Sequence, residues 1–192
     1  MKEDKELYKE FVEGRKEALN ELMIRYRNEI IYFIHKFVND YQAAEDLSQE
    51  VFVYLLQHKE IYDFKFQFRT YLYMIAKSRA YNYMKARRKI FFLEDNADNI
   101  YNEISDVEEE IFKNSECAMV RDAMRKLKKE YHMAIYLVDL NGLSYEETGT
   151  IMGKSISQVK ALVHNARKRL KVFLEKEISK EVEHNEINGR IH

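Results

Sequence analysis

The chain has no proline, one cysteine and five glycines in 192 residues, and each shortage removes a class of structure. Without proline, and with glycine only at 14, 142, 149, 153 and 189, little interrupts helix and few hairpin turns can be built, so an all-α chain is the default. The lone thiol, Cys117, makes neither a disulfide framework nor a thiolate zinc site; it fits a reducing compartment and reads as a small buried hydrophobe. No apolar run approaches the roughly 20 residues of a membrane span, and Met1 to Glu6 lack the apolar core of a signal peptide. The expectation is a cytoplasmic protein without membrane insertion. There is also no His-Glu-x-x-His, no glycine-rich phosphate loop and no nucleophile elbow, and His35, His58, His132 and His164 are scattered without ligand spacing. Glu45, Asp46 and Glu50 can be imagined as metal ligands or acid–base carboxylates, but the supporting pieces are missing. No catalytic residue, metal or cofactor is expected.

What is present is ample apolar material, 46% of the chain with eleven Phe and fourteen Tyr, enough for one or two small domains that fold without staples. The net charge of −1 would argue against a partner made of phosphates, but the average hides a segregation along the chain. Lys77, Arg79, Lys85, Arg87, Arg88 and Lys89 occur without an acid among them, whereas from Glu94 to Glu116 nearly every charge is negative, Lys113 excepted. A third block, Lys154, Lys160, Arg167, Lys168, Arg169 and Lys171, again contains no acid. Two basic modules flank an acidic connector.

The last block follows a recognisable arrangement. Gly142 can take positive φ and close a helix, and Ser144 with Glu147 three residues on makes a capping box that opens the next. That helix stops near Gly153, and Ser155 with Gln158 repeats the box ahead of Val159, Leu162, Val163, Ala166, Leu170, Phe173 and Leu174 on one face. Two capped helices joined by a short turn define a helix-turn-helix. A charge run alone reads as a solvated face; the paired caps favour nucleic acid instead. The N-terminal part of a second helix enters the major groove, so Ser155, Ser157, Gln158, Lys160, Ala161 and His164 become candidates for base edges, and Arg167, Lys168 and Lys171 for phosphates.

Upstream, Leu19, Leu22, Met23, Tyr26, Ile30, Ile34, Phe37 and Val38 recur at three and four, predicting a long amphipathic helix that ends around Asn39-Asp40. A second helix carries Ala44, Leu47, Val51 and Leu55 inside and Glu45, Asp46, Gln49 and Glu50 outside, and a third runs from about Phe68 to Arg88. The run from His132 to Val138 has strand propensity, but capped helices around it favour helix. Residues 91–115 are too polar and charged to pack. The reading is therefore two small helical domains, 1–90 and 116–176, joined by a flexible acidic linker over 91–115, with a polar tail at 177–192 that frays.

Asp46-Leu47-Ser48-Gln49-Glu50-Val51-Phe52, Phe68-Arg69-Thr70-Tyr71-Leu72-Tyr73-Met74-Ile75-Ala76 and Leu143-Ser144-Tyr145-Glu146-Glu147 stand in the order and spacing of a known family. Over roughly residues 10 to 175, the chain resembles a bacterial RNA polymerase sigma factor of the extracytoplasmic-function type. The resemblance implies that Asp46, Gln49, Glu50 and Phe52 dock on core RNA polymerase. It further implies that the loop Ile61 to Gln67 and the helix after it open the promoter's minus-ten element and capture an unstacked base. Tyr62, Lys65, Tyr71, Arg79, Asn82, Lys85, Arg87 and Arg88 would make those contacts. The helix-turn-helix would read the minus-thirty-five element, the acidic linker would thread positively charged channels of the polymerase, and family habit adds an anti-sigma partner.

The physical reading of the first domain is compatible with these roles. Carboxylates and an amide outside an apolar seam can accept Arg and Lys from a partner helix, and unpaired bases stack on aromatic faces while cations hold the backbone. Departures from the family pattern fall at Tyr71 for tryptophan, Ser78 for asparagine, Asn82 for aspartate, Gly149 for alanine, Lys154 for an apolar residue and Leu162 for arginine. The rival function is a free-standing helix-turn-helix regulator whose N-terminal helices dimerise or sense a ligand.

Overall fold

The computed structural model describes residues 2–91 and 115–189, with side chains for 2–87 and 119–176. Seven of the eight helices among these residues are expected from the apolar spacing, from caps, or from both; the first, Asp4–Val12, is the exception. No strand is present among the described residues, and the His132 to Val138 run is helical. The expected linker over 91–115 and the side chains of Arg88 and Cys117 lie outside the described residues. The chain divides into two compact units between Val107 and Glu108.

In the first unit, α1 (Asp4–Val12), α2 (Lys16–Val38), α3 (Tyr41–Gln57) and α4 (Phe68–Phe91) pack around α2, which touches the other three. α2 buries Leu19, Leu22, Tyr26, Ile30, Ile34 and Val38, the residues whose spacing predicted it. It ends where expected, because Asn39 adopts left-handed φ of 53° and its N–H caps the His35 carbonyl at 2.8 Å. Asp40 then opens α3 by accepting the Ala43 N–H at 3.0 Å.

α1 has no counterpart in the sequence reading. Its N-terminus is held by a capping box between Glu3 and Glu6, and Leu7, Tyr8 and Phe11 supply a short buried face. Asp4 accepts hydrogen bonds from Arg25 and the Tyr26 hydroxyl, which fasten the helix to α2.

The second unit comprises α5 (Ser115–Arg125), α6 (Lys129–Ile135), a π turn (Tyr136–Leu140) continuing it, α7 (Tyr145–Met152) and α8 (Ile156–Gly189). α8 is the spine, packed by α5, α6 and α7. Two apolar clusters line it: Met124, Leu127 and Ile135 meet Ala166, and Ala134 meets Val159 and Val163. The helix continues to Gly189 rather than fraying after Glu175. From Lys176 on it carries four Glu, two Lys and two Ile with no proline, and the first glycine beyond Gly153 is Gly189 itself.

Candidate nucleic-acid interface

The helix-turn-helix forms with the expected chemistry. The N–H of Glu147 donates to the Ser144 hydroxyl at 3.1 Å and the Ser144 N–H donates to the Glu147 carboxylate at 3.0 Å. At the second box the Ser155 N–H donates to the Gln158 side-chain carbonyl at 2.8 Å, and the Gln158 N–H to the Ser155 hydroxyl at 3.3 Å. Gln158 can therefore offer DNA its amide donors and one remaining lone pair of its carbonyl while the cap is intact.

Ahead of α7, the π turn widens the chain by one residue. The Asn141 N–H and its side-chain amide both reach the Tyr136 carbonyl, at 3.0 and 2.8 Å, and the Leu143 N–H returns to Leu137 at 3.0 Å. Gly142 has the positive φ expected, 67°.

Gly149 is explained by the turn that follows. The Lys154 N–H bonds the Gly149 carbonyl at 2.9 Å, and a Cβ at 149 would stand 2.7 Å from the Lys154 carbonyl oxygen. That neighbour is backbone and cannot swing aside. Gly149→Ala is expected to destabilise the second unit, since overpacking costs about 1–3 kcal/mol against about 1 kcal/mol of helix propensity gained. Thermal unfolding should show a lower midpoint, and an unchanged or raised one would refute the close approach.

On α8, Val159, Val163 and Ala166 are buried, whereas Ser155, Ser157, Gln158, Lys160, Ala161, His164, Lys168 and Lys171 are exposed. Ser157, Lys160, His164, Lys168 and Lys171 follow one another at three- and four-residue steps, with Ala161 four residues after Ser157 and three before His164, and so share a stripe. Ala161 can offer only a methyl. Lys160 sits 5.9 Å from the centroid of the Tyr145 ring, which ties α8 to α7.

Two residues of α8 show how the helix is held. Arg167 is engaged by Asp139 of the π turn through two bonds, Nε to Oδ2 at 3.0 Å and Nη2 to Oδ1 at 2.5 Å. That pairing raises its pKa and lets the exposed guanidinium bridge turn and helix. Leu162, where the family has arginine, is half-buried and packs on the cluster of Ala134, Val159 and Val163. Its departure is a packing choice.

In the first unit, Asp46, Gln49 and Glu50 are exposed along α3, as expected. Phe52 is not; at 3% exposure it belongs to the core, because its position falls on the Ser48, Val51 and Leu55 side of the helix. The polar stripe is instead prolonged by Val53 and Leu56, 49% and 52% exposed. Sequence reasoning missed them, although their spacing from Asp46 and Gln49 continues one helical row. Glu50 lies 3.8 Å from Arg79, whose guanidinium also covers the Tyr54 ring at 5.2 Å. Arg79 is thus half-buried and drawn towards α3.

α4 presents Ser78, Tyr81, Asn82 and Lys85 along one exposed row, and Tyr81, also missed, is 64% exposed. Arg87 lies 3.9 Å from Asp40, the residue that caps α3.

The loop between α3 and α4 departs most from expectation. Lys65 is exposed, but Tyr62 is buried: its hydroxyl donates to the Phe66 carbonyl at 2.6 Å and its ring stacks on Tyr71 with centroids 4.8 Å apart. Burial pushes its pKa up to about 12. Tyr71 is half-buried in the same stack, with burial raising its pKa. Tyr8 and Phe68 complete this aromatic group. Its rings are therefore spent on each other, leaving Lys65 as the loop residue among those expected to face a ligand. The described residues hold no cluster of three His, Cys, Asp or Glu able to bind a metal, and no described helix is long and apolar enough to cross a membrane.

Comparison with known proteins bears on both units. The family model for sigma-70 region 2 matches residues 22–90, and that for sigma-70 region 4 matches residues 117–170. The RNA polymerase sigma-H factor of Pseudomonas aeruginosa is 27% identical over 180 residues, covering 88% of this chain and 92% of that protein. The ECF RNA polymerase sigma-E factor of Haemophilus influenzae is 28% identical, covering 87% and 93%. Among solved structures, the sigma factor RpoE of Bartonella quintana, crystallised with the anti-sigma factor NepR, superposes with a TM-score of 0.64 at 20% identity, covering 81% of this chain and 96% of that one. CnrH, solved with the cytosolic domain of CnrY, gives 0.61 at 20% identity, covering 90% and 97%.

Proposed function

Since the chain belongs to the sigma-70 family as a sigma factor of the extracytoplasmic-function type, we propose a division of its work between the two units and name the residues that perform each part. As such a factor it binds core RNA polymerase and directs promoter-specific transcription initiation. We assign core binding and minus-ten recognition to residues 1–90, minus-thirty-five recognition to residues 116–176, and a connecting role to 91–115.

The observation that carries the second assignment is the two-sidedness of α8. Its buried side fixes the helix by Val159, Val163 and Ala166, and its open side carries Ser157, Lys160, Ala161 and His164 ahead of Lys168 and Lys171. Base-edge groups at the leading end and cations further along match the way a recognition helix divides reading from anchoring. In the first unit, Asp46 and Gln49 with Val53 and Leu56 form a mixed polar and apolar face fit for a partner helix carrying cations. The row Ser78, Tyr81, Asn82 and Lys85, with Lys65 beside it in chain order, faces the minus-ten element. Arg167 and Arg79 position neighbouring helices in this scheme and do not touch DNA.

The protein catalyses no covalent chemistry of its own, acts in the cytoplasm, and has an anti-sigma factor as a further partner, the kind of chain bound to RpoE in its solved complex. Reconstituted transcription with bacterial core polymerase across a promoter library tests the scheme. Lys160→Ala or His164→Ala should change minus-thirty-five preference, each good base contact being worth about 1–3 kcal/mol of discrimination. Lys168→Ala with Lys171→Ala should lower the salt dependence of duplex binding by about 0.9 per contact and leave preference alone. Identical preference in the first pair removes the reading role, and binding of palindromic DNA without initiation would favour the free-standing regulator.

A further inference from the structure

α1 lies ahead of residues 22–90, the stretch matched by the region 2 model, and no role has yet been given to it. Its inner face is spent on the loop between α3 and α4. The Tyr8 hydroxyl donates to the Lys59 carbonyl at 3.0 Å, and the Lys59 ammonium donates back to the Val12 carbonyl at 3.2 Å. Val12 is the last residue of α1, where the helix dipole favours a cation. Burial raises the Tyr8 pKa far above that of a free phenol, so the hydroxyl stays a donor.

Around this reciprocal pair, Tyr8 packs edge-on to Tyr62 at 5.0 Å and to Phe64 at 6.2 Å, and against Phe68 at 5.3 Å. Lys5 and Lys9, one helical turn apart, bring their ammonium groups to 5.7 and 5.8 Å from the Phe64 ring centroid. Phe64 holds φ at 60°, in the left-handed region that a bulky side chain occupies only when its surroundings impose it. Within the loop the fastenings are few: Lys65 N–H to Asp63 at 3.0 Å, Ile61 N–H to His58 at 3.0 Å and Tyr62 to Phe66. Phe64 is thus held between the Tyr62 ring of its own loop, 4.6 Å away, and three side chains of α1.

We propose that α1 is a lock on the base-capture loop: the Tyr8–Lys59–Val12 clamp, with Lys5 and Lys9 over Phe64, holds residues 58–67 in the shape that receives the unstacked minus-ten base. Tyr8 and Lys59 are positioning residues and touch no DNA. The inference rests on the loop's assignment to base capture. A loop held ready binds its ligand without first sorting through other conformations, and loosening it lowers apparent affinity by the fraction of time it is competent.

The test uses holoenzyme reconstituted from the full chain and bacterial core polymerase, with a fluorescent single-stranded oligonucleotide carrying the minus-ten sequence of a promoter it transcribes. Tyr8→Phe keeps the ring and loses the hydroxyl; Lys59→Met keeps the stem and loses the ammonium. Together they should weaken oligonucleotide binding about tenfold, the combined effect of two modest hydrogen bonds, while affinity for core is unchanged. A parallel fall in core affinity would mean that α1 merely supports the fold and would overturn the lock, with Tyr8→Phe alone deciding if the double variant does not fold. Lys65→Ala, which leaves α1 untouched, reports on the loop itself. If it binds the oligonucleotide normally, the base-capture reading falls; if it weakens binding while the Tyr8 and Lys59 variants do not, only the lock falls.

Discussion

Phe52→Ala should lower the stability of the first unit by about 3–5 kcal/mol, the range for removing a buried aromatic ring. The ring is 3% exposed and shares a helix face with Val51 and Leu55, which have no exposed surface. A small domain has only about 5–15 kcal/mol in hand, so this single change consumes a large part of it. The melting midpoint of the variant, followed by circular dichroism, should drop by more than about 10 °C, given about 4–8 °C per kcal/mol for a unit of this size. A midpoint within a few degrees of the parent would return Phe52 to the list of docking residues. In a binding assay alone the variant would look like a docking mutant, because an unfolded unit cannot hold the polymerase.

Asp46→Ala combined with Gln49→Ala should behave in the opposite way. Both side chains are exposed and neither lies on the buried side of α3, so the melting midpoint should stay within the roughly ±0.5 kcal/mol expected of surface changes. Affinity for core polymerase should fall by about a hundredfold, since hydrogen bonds to charged groups contribute about 1.5–3 kcal/mol each and about 1.4 kcal/mol is a factor of ten. Competition for core against the unmodified chain measures it. Equal competition would remove this face from the polymerase interface. Glu50 is left intact in the variant because its carboxylate stands 3.8 Å from Arg79, and removing it would disturb the α3 and α4 contact as well as the surface.

The all-helical architecture, the end of α2 at Asn39 and both capping boxes were legible in the chain because each is a local rule: spacing, a cap three residues before its partner, a missing proline. α1 was not legible. Its nine residues offer only three buried apolar side chains and a glutamate cap, so its existence depends on Asp4 reaching Arg25 and Tyr26, far away in sequence. The π turn is equally non-local, since one extra residue per turn leaves no mark in a three- and four-residue pattern.

Burial and pairing in the site have the same non-local origin. Tyr62 and Phe52 are buried, Arg79 is half-buried, and Arg167 is exposed but paired, and in each case a partner decides the outcome. For Tyr62 it was the stack on Tyr71, and for Arg79 the neighbouring helix. For Arg167 it was a carboxylate 28 positions earlier, and Phe52 simply faces the core. Exposed Tyr81, Val53 and Leu56 were overlooked for the converse reason: large apolar side chains were assumed to be inside, a rule that holds in one direction only.

Both apolar clusters of the second unit hang on α8: Val159 and Val163 in one, Ala166 with Leu170 and Phe173 in the other. The rod we propose to meet the duplex is thus also the keel around which its own hull is assembled. Substitutions anywhere along that seam will be felt as altered promoter usage even where no DNA is touched, because a tilted or half-formed rod misaligns every group it carries. Drift in the hidden residues can therefore retune which genes are served as readily as drift in the visible ones.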